Sequence, residues 1–350
     1  MGMDALSVVG GGIAGLALAA HLDPRRFQVT VHERREEPPS VETSLAMWPE
    51  AQGALQKVGV LPAIRAAASD FGGMALRDGS GNVLLRAGAP DVIGVSRADL
   101  LRLLDAAVPA SVLRAYGPVT SLPGPGPVVG ADGVHSIVRR SVWGERAKAR
   151  LSPYLALRGI IDGPVPPGGG GEYWGRGQLF GVTPASRGRT YWYASYRSGL
   201  GPGGIDVGEA LALTRARFAG RADGIDRVLA AATPGETLAQ RVWTVPYPGS
   251  YRRGNAVLVG DAAHGMMPNL GRGACEALID AVTLAELLNT RPLPEALQAY
   301  NRRRLLRSQA LRVASTAMAR LALAESAQPL RDGMLRLAGR RRGGAAAVGR

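Results

Sequence analysis

Apolar and polar positions along the first third of the chain follow two periods in turn. Ala5–Val9 is a short apolar run, the pattern of a buried strand. Gly10–Gly15 is a turn, Leu16–Leu22 continues as a helix, and Asp23-Pro24 stops it. Phe27–His32 alternates and carries two valines, which predicts a second strand. A strand, a helix and a strand in this order open a parallel sheet. Gly53–Val60 reads as helical. Met74–Leu76 and Val83–Leu85 flank Asp78-Gly79-Ser80-Gly81 as a hairpin. Ser96 is placed to cap a helix through Leu104, with Asp99 in its first turn. The Pro-Gly loop Leu122–Pro127 leads into a very short strand, Val128-Val129.

The pattern changes after residue 150. Strand-like runs dominate at Tyr154–Ile161, Leu179–Val182 and Thr190–Tyr196, separated by Gly/Pro loops and interrupted by a helix at Val207–Phe218. This is a mainly antiparallel unit. Ala256–Val259 is again a buried strand, Gly273–Leu288 a long apolar helix, and Glu295–Ala324 an amphipathic helix entered just after Pro294. The reading is an α/β fold in which a dinucleotide-type domain is built from residues 1–70, 96–150 and 246–290. Residues 71–95 and 151–245 form the β-rich domain, 291–335 a helical segment, and 336–350 a basic flexible tail.

Composition changes this picture little. With 46% hydrophobic and 20% charged residues, 350 residues can bury a sizeable core. A membrane span and a signal peptide are not expected. One cysteine, Cys275, allows no internal disulfide, and the four histidines have no metal spacing, so no metal is expected and a reducing cytoplasm fits. The net charge of +14 comes almost wholly from arginines spread along the chain. Charge without a site is a footprint only, so nucleic acid is not expected as a partner. A monomer or homodimer acting on small molecules is expected instead.

Four motifs carry chemistry. Gly10-Gly11-Gly12-Ile13-Ala14-Gly15 is a G-x-G-x-x-G between a strand and a helix. Gly10 permits the turn, Gly12 lets a pyrophosphate approach, and Gly15 lets helix and strand pack closely. The helix N-terminus offers free N–H groups to phosphate. Glu33, with Arg34 beside it, ends the second strand at the distance the fingerprint requires, and it disfavours a 2′-phosphate. FAD or NAD remains. The second motif is Val257-Leu258-Val259-Gly260-Asp261-Ala262-Ala263-His264, followed by Pro268-Asn269-Leu270-Gly271-Arg272-Gly273. Asp261 can accept from a ribityl hydroxyl, and the next helix start can face a flavin ring. The third is Gly130-Ala131-Asp132-Gly133, the fourth Ser96-Arg97-Ala98-Asp99-Leu100.

These motifs, in this order, resemble the class A flavoprotein aromatic monooxygenases, the p-hydroxybenzoate hydroxylase-like group, and most of all its salicylate and urate hydroxylase-like members. The resemblance implies a Rossmann-like (GR2) FAD-binding domain interleaved with an antiparallel substrate domain. It implies FAD as cofactor, NADH or NADPH as transient co-substrate, and O2-dependent hydroxylation or epoxidation of a small electron-rich molecule. It places Gly10, Gly12, Ile13, Ala14, Gly15, Glu33 and Arg34 on the ADP half and Arg97 near the phosphates. Asp261 falls on the ribityl chain and Pro268, Leu270, Gly271 and Gly273 along the flavin ring. Asp132 belongs to a motif tied to cofactor handling, or is a turn and cap residue. Tyr191 and Tyr193 share one strand face and are expected in the substrate pocket, Trp192 on the other face. His264 is a further pocket candidate, although a structural role suits its turn better. Arg176 and Arg187 are candidates for a substrate carboxylate. No general base is identified.

Two departures stand out. Arg272 replaces the family's usual glutamine between the two glycines. Only Gly117–Val128 stands where the family carries a β-meander, which puts tightness of cofactor binding in question. A reductase or halogenase of the same fold, and a flavin-binding partner without turnover, are the alternatives. Neither Lys57 nor Lys148 stands in a halogenase context.

Overall fold

The computed structural model describes residues 3–37, 40–88 and 91–347. Two large sheets organise it. The first has strand order Arg252–Arg253, Ala256–Leu258, Val128–Gly130, Asp4–Val9, Phe27–Glu33, Leu113–Tyr116. All its neighbours are parallel except the short Arg252–Arg253 edge. Its strands are apolar on both faces because helices cover both, as parallel sheets require. Val8, Val31, Val129 and Leu258 lie in its buried centre.

The helix Ile13–His21 packs against Gly273–Thr290 and Arg97–Ala106. Ile13–Ala19 are all buried, which explains why this helix is apolar all round rather than striped. Ser96 caps Arg97–Ala106, its hydroxyl accepting from the Asp99 N–H at 3.2 Å. The helix expected over Gly53–Val60 instead spans Pro49–Val58. Proline suits its first turn, and Gly59 ends it at φ 87°.

The second sheet has the order Thr237–Thr244, Arg150–Ile161, Arg189–Arg197, Gln178–Ala185, Gly171–Trp174, Met74–Asp78, Val83–Ala87. It is antiparallel except where Gly171–Trp174 runs parallel to Met74–Asp78. The hairpin around Asp78 therefore extends the sheet built by residues 150–244. One face is dry: Leu157, Phe180, Val182, Trp192 and Ala194 pack with Phe218, Ile225 and Leu229 from the helices Val207–Phe218 and Asp223–Ala231. The other face carries Arg158, Glu172, Tyr191 and Tyr193, and part of it, with Ala156, Leu179 and Trp174, packs against the end of the helix Leu293–Ala322. A third, small sheet of Ser44–Met47, Ile93–Ser96 and Ser69–Asp70 bridges the two. The Ser69 hydroxyl reaches both the Gly94 and Pro184 carbonyls.

The C-terminus corrects one expectation. The segment read as a flexible basic tail from 336 continues a helix, Gln328–Ala347, behind the longer helix Leu293–Ala322. Residues 348–350 lie outside the described residues. Alanine, arginine and leucine are strong helix formers, which outweighs the glycines here. The helix also has tertiary partners. Arg331 donates to the Trp174 carbonyl at 3.0 Å, and Arg336 pairs with Asp78 at 2.9 Å. No described helix is long and apolar enough to cross a membrane, and the described residues hold no cluster of metal ligands.

Candidate active site

The first glycine turn is shaped by close approach. A side chain on Gly10 would sit 2.4 Å from the Ala131 carbonyl oxygen, and one on Gly15 1.8 Å from the Gly10 oxygen. Gly12 is different: nothing lies within 4 Å of where its Cβ would be. It opens onto free space at the start of Ile13–His21, whose first turn has no acidic residue and no side-chain cap. The N–H groups of Ile13, Ala14 and Gly15 belong to the first turn, which lacks intrahelical partners. Glu33 closes the turn, accepting from Gly11 N–H at 2.7 Å and Arg35 N–H at 3.1 Å. Arg34 is exposed beside it.

The Gly130–Gly133 turn meets the same glycines from the next strand. Asp132 caps the helix Ile137–Trp143: one carboxylate oxygen accepts from Ile137 N–H at 2.7 Å and Val138 N–H at 3.2 Å. Its other oxygen is buried with no protein partner. Burial raises the Asp132 pKa, against the pull of Ser136 and the backbone N–H groups. Both readings of Asp132 thus have an observation behind them: a cap on one oxygen, an unfilled acceptor on the other. Arg139, a turn beyond this motif, is wholly buried and donates to the carbonyls of Ala147, Ala262 and Val134. Burial brings its pKa down to about 10. It ties the Gly130–Gly133 turn to the Asp261–His264 turn.

Asp261 begins that turn and is exposed. A Cβ on Gly273 would be 3.8 Å from its carboxylate, so Asp261 and the start of Gly273–Thr290 share one spot. Pro268–Leu270 is a single 3-10 turn, and Gly271 reverses the chain at φ 61°. Pro268 and Gly271 are exposed and Leu270 half-exposed. Arg97 keeps surface exposed to solvent, but partial burial of its guanidinium lowers its pKa, as does Arg158, while Asp261 and Tyr191 pull the other way. Arg158, Asp261 and Tyr191 therefore all lie within electrostatic reach of Arg97.

His264 is not in the cleft wall. It is fully buried and its Nε2 lies 2.7 Å from the Asp280 carboxylate. The reason is the turn itself, which points the ring back under Gly273–Thr290. There Arg304 binds Asp280 and Glu276, each at 2.5 Å, and Arg272 reaches Glu276 at 3.2 Å and Glu50 at 3.3 Å. Burial alone opposes both charges, but the mutual attraction wins: Asp280 falls to about 2 and His264 rises. Arg272 thus has two carboxylate partners and also covers the Trp48 ring at 5.3 Å. The departure Gly271-Arg272-Gly273 is built into an ion network rather than left loose.

The inner face of the second sheet supplies the aromatic wall. Tyr191 and Tyr193 lie on it, ring centroids 5.7 Å apart, and Trp192 is wholly buried on the other face, as alternation requires. The Tyr193 ring occupies the space over Gly181, where an added Cβ would come within 2.0 Å of it. Its hydroxyl donates to Glu172 at 2.6 Å, and Trp174 Nε1 donates to the other Glu172 oxygen at 2.5 Å. Burial raises the Glu172 pKa against these two bonds. Arg158 stands directly across from Tyr193 in register. Arg176 and Arg187 are not brought to this wall: Arg176 bonds the Glu325 carbonyl and Arg187 lies 4.0 Å from Asp99 at the surface. Sequence reasoning missed Arg158 and Glu172. The available signal was parity, since each shares a strand face with an aromatic residue.

The donor set fits a flavin dinucleotide. An open glycine at an uncapped helix start, a buried acceptor without a partner on Asp132 and a free carboxylate on Asp261 line one cleft. Beside the Gly130–Gly133 turn lies a separate cavity of about 230 Å³, lined by His135, Arg139, Arg140, Lys148 and Trp243.

Comparison with known proteins agrees with this geometry. A family model described as FAD binding domain matches residues 127–315, and one described as NAD(P)-binding Rossmann-like domain matches residues 8–41. The chain is 31% identical to an aurachin C monooxygenase/isomerase of Stigmatella aurantiaca, covering 86% of this chain and 85% of that protein. It is 30% identical to a 3-amino-4-hydroxybenzoate 2-monooxygenase of Streptomyces cremeus, over 87% of this chain and 84% of that one. The crystal structure of Klebsiella pneumoniae HpxO complexed with FAD and uric acid superposes with a TM-score of 0.85. That match has 25% identity and covers 95% of this chain and 92% of the other.

Proposed function

Because the chain belongs to the FAD-dependent aromatic monooxygenases of the p-hydroxybenzoate hydroxylase-like group, we propose that its cleft holds FAD against the first sheet and an aromatic substrate against the second. FAD is its cofactor, reduced by NADH or NADPH, and when bound it supplies the O2-dependent hydroxylation chemistry. The observation that carries the arrangement is the meeting of the Gly10–Gly15, Gly130–Gly133 and Asp261–Gly273 segments at the same end of neighbouring strands of one parallel sheet.

The protein's part is binding, orientation and exclusion of water. The open turn at Gly12 and the N–H groups of Ile13, Ala14 and Gly15 hold the pyrophosphate. Glu33 accepts from the ribose, with Gly10 keeping the backbone close and Arg34 at the rim. Arg97 neutralises phosphate charge, and the unpaired oxygen of Asp132 accepts from the cofactor. Asp261 holds the ribityl chain. Pro268, Leu270, Gly271 and Gly273 line the ring, and the positive start of Gly273–Thr290 stabilises negative charge on it. Tyr191 and Tyr193 stack the substrate on the opposite wall. The basic cavity at His135, Arg140 and Lys148 suits the phosphates of the nicotinamide donor. A monomer or homodimer in the cytoplasm completes the proposal.

The test is a substrate screen on the purified, FAD-loaded protein. NADH and NADPH consumption is followed with 3-amino-4-hydroxybenzoate, salicylate and uric acid, and products are checked for one added oxygen. Stimulated consumption with an oxygenated product supports the reading. Bound FAD with no stimulation by any aromatic compound overturns it.

A further inference from the structure

The long helix Leu293–Ala322 is turned inside out over its middle turns. Between Arg304 and Ser315 its fully buried residues are all polar: Arg304, Ser308, Gln309 and Ser315. Each has a partner inside. Arg304 joins Asp280 and Glu276, Ser308 and Gln309 meet the Tyr251 hydroxyl, and Ser315 donates to the Met267 carbonyl. The outer side is the apolar one. Leu306, Ala310, Val313, Ala317 and Leu321 recur at helical spacing along one exposed stripe, with Ala314 at its edge. Leu306 is 76% exposed and Val313 59%. An ordinary surface helix has the reverse arrangement, apolar residues in and polar ones out. The outer stripe adds nothing to the core, so its apolar residues call for a partner outside the molecule.

The charge on the same face says what kind of partner. Every other exposed residue from Arg302 to Leu321 is an arginine: Arg302, Arg303, Arg307 and Arg320. At 3.6 residues per turn, Arg302 and Arg320 border the stripe on one side and Arg303 and Arg307 on the other. The ion pairs of this helix belong to Arg304, and among the described residues these four form none. The sequence holds no Asp or Glu from residue 296 to residue 324. The following helix repeats the outward pattern, with Leu330, Met334 and Leu337 exposed at i, i+4 and i+7. A second copy of the chain is a poor complement to this face. Two such helices laid antiparallel across a two-fold axis would set arginine against arginine at both ends of the contact, with no carboxylate on the face to offset them. A bilayer with anionic headgroups matches both features. Its acyl region takes the apolar stripe, and its phosphates take the guanidinium margins.

We propose that the exposed face of Leu293–Ala322 is a docking surface for an anionic lipid bilayer, on which the enzyme lies as a peripheral protein. The helix lies in the headgroup layer and does not span it. The inference goes beyond the monooxygenase reading of the cleft and does not depend on it.

The test is flotation of the FAD-loaded protein with two kinds of vesicle, phosphatidylcholine alone and phosphatidylcholine mixed with phosphatidylglycerol. Three variants are compared with wild type. Leu306→Ser with Val313→Ser removes the apolar stripe. Arg302→Gln, Arg303→Gln, Arg307→Gln and Arg320→Gln together remove the basic margins. Arg86→Gln, Arg146→Gln, Arg221→Gln and Arg227→Gln together remove as much charge from exposed arginines elsewhere. Flavin content and thermal unfolding are checked first. If a multiple variant does not fold, Leu306→Ser and Arg303→Gln carry the test singly, each with a loss of about fivefold. At about 0.1 M salt, wild type is expected to partition onto the mixed vesicles on the order of 100-fold more strongly than onto phosphatidylcholine, less so as salt rises. The helix arginine variant loses most of that preference, and the matched control changes it by less than about threefold. The serine variant weakens binding by on the order of tenfold. No binding of wild type to the mixed vesicles overturns the proposal. An equal loss in the two arginine variants also overturns it, because the attraction is then that of any basic protein. So does binding unchanged by the serine substitutions. A dimer that the serine variant dissolves, without flotation of wild type, assigns the face to a second copy and overturns the proposal as well.

Discussion

At the scale of single residues, shape and charge decide what each position can be. Gly15 is set by the Gly10 carbonyl, 1.8 Å from any Cβ it could carry. Gly15→Ala must displace backbone, with a cost of about 1–3 kcal/mol and a lower FAD content. Thermal unfolding with a flavin absorbance ratio checks both, and a variant with wild-type values for both would contradict the close-packing argument. Glu172 offers a test of opposite character. Its folded pKa is raised, so its contribution to stability is present below the ordinary carboxylate range and is lost as pH rises through the folded value. Glu172→Gln should remove that loss: its melting temperature relative to wild type should improve from pH 4 to pH 8. A constant difference across that range would mean that Glu172 is not held protonated by its surroundings. The glycines were readable from their spacing between strand and helix, and Asp261 from its place where a buried strand runs into a turn. For Arg158 and Glu172 strand parity gave only half the signal: it groups each with an aromatic residue, but which face looks into the cleft depends on the partner strands.

At the scale of elements, the long helix Gly273–Thr290 is held by charges rather than by apolar contact alone. Arg304 enters from Leu293–Ala322 and joins Asp280 and Glu276, while His264 meets Asp280 from the turn below. Removing one partner leaves buried charge uncompensated. Arg304→Met is expected to destabilise the fold by about 3–5 kcal/mol, measured by denaturant unfolding. A loss under about 1 kcal/mol would count against the network. The pH dependence follows from the same groups. Asp280 is depressed to about 2, so its stabilisation is present above the ordinary carboxylate value and is lost as pH falls from about 4 to about 2. His264 has the reverse sign: its raised pKa stabilises at acid pH, and that contribution fades as pH rises through the folded value. An acid-denaturation curve should therefore lose its low-pH step in Asp280→Asn. The helices were legible as elements from their apolar period. Their coupling was not, because His264, Asp280 and Arg304 meet only when two turns and two helices have packed.

At the scale of the whole molecule, the order of motifs along the chain translated into one cleft. The β-α-β start, the Gly130–Gly133 turn and the Asp261–Gly273 segment come from neighbouring strands of one parallel sheet. Sites in such sheets form at the carboxyl ends of the strands, and the three motifs meet at those ends here. The second sheet was less legible. Its strand Thr237–Thr244 carries Gln240 and Arg241 and has little apolar alternation, and the bridging sheet is made of strands four residues long or shorter. The C-terminal helix was misread because glycine and arginine suggest a solvated tail until Arg331 and Arg336 find Trp174 and Asp78.

The claim on which these scales meet is that FAD in this cleft transfers oxygen to an aromatic molecule. The direct measurement is turnover of the FAD-loaded enzyme with NAD(P)H under isotopically labelled dioxygen, with the product analysed by mass. The account expects one labelled oxygen atom in the product and NAD(P)H consumption that depends on the aromatic substrate. Product without label, or NAD(P)H consumption that yields only reduced oxygen whatever aromatic acid is present, would contradict it.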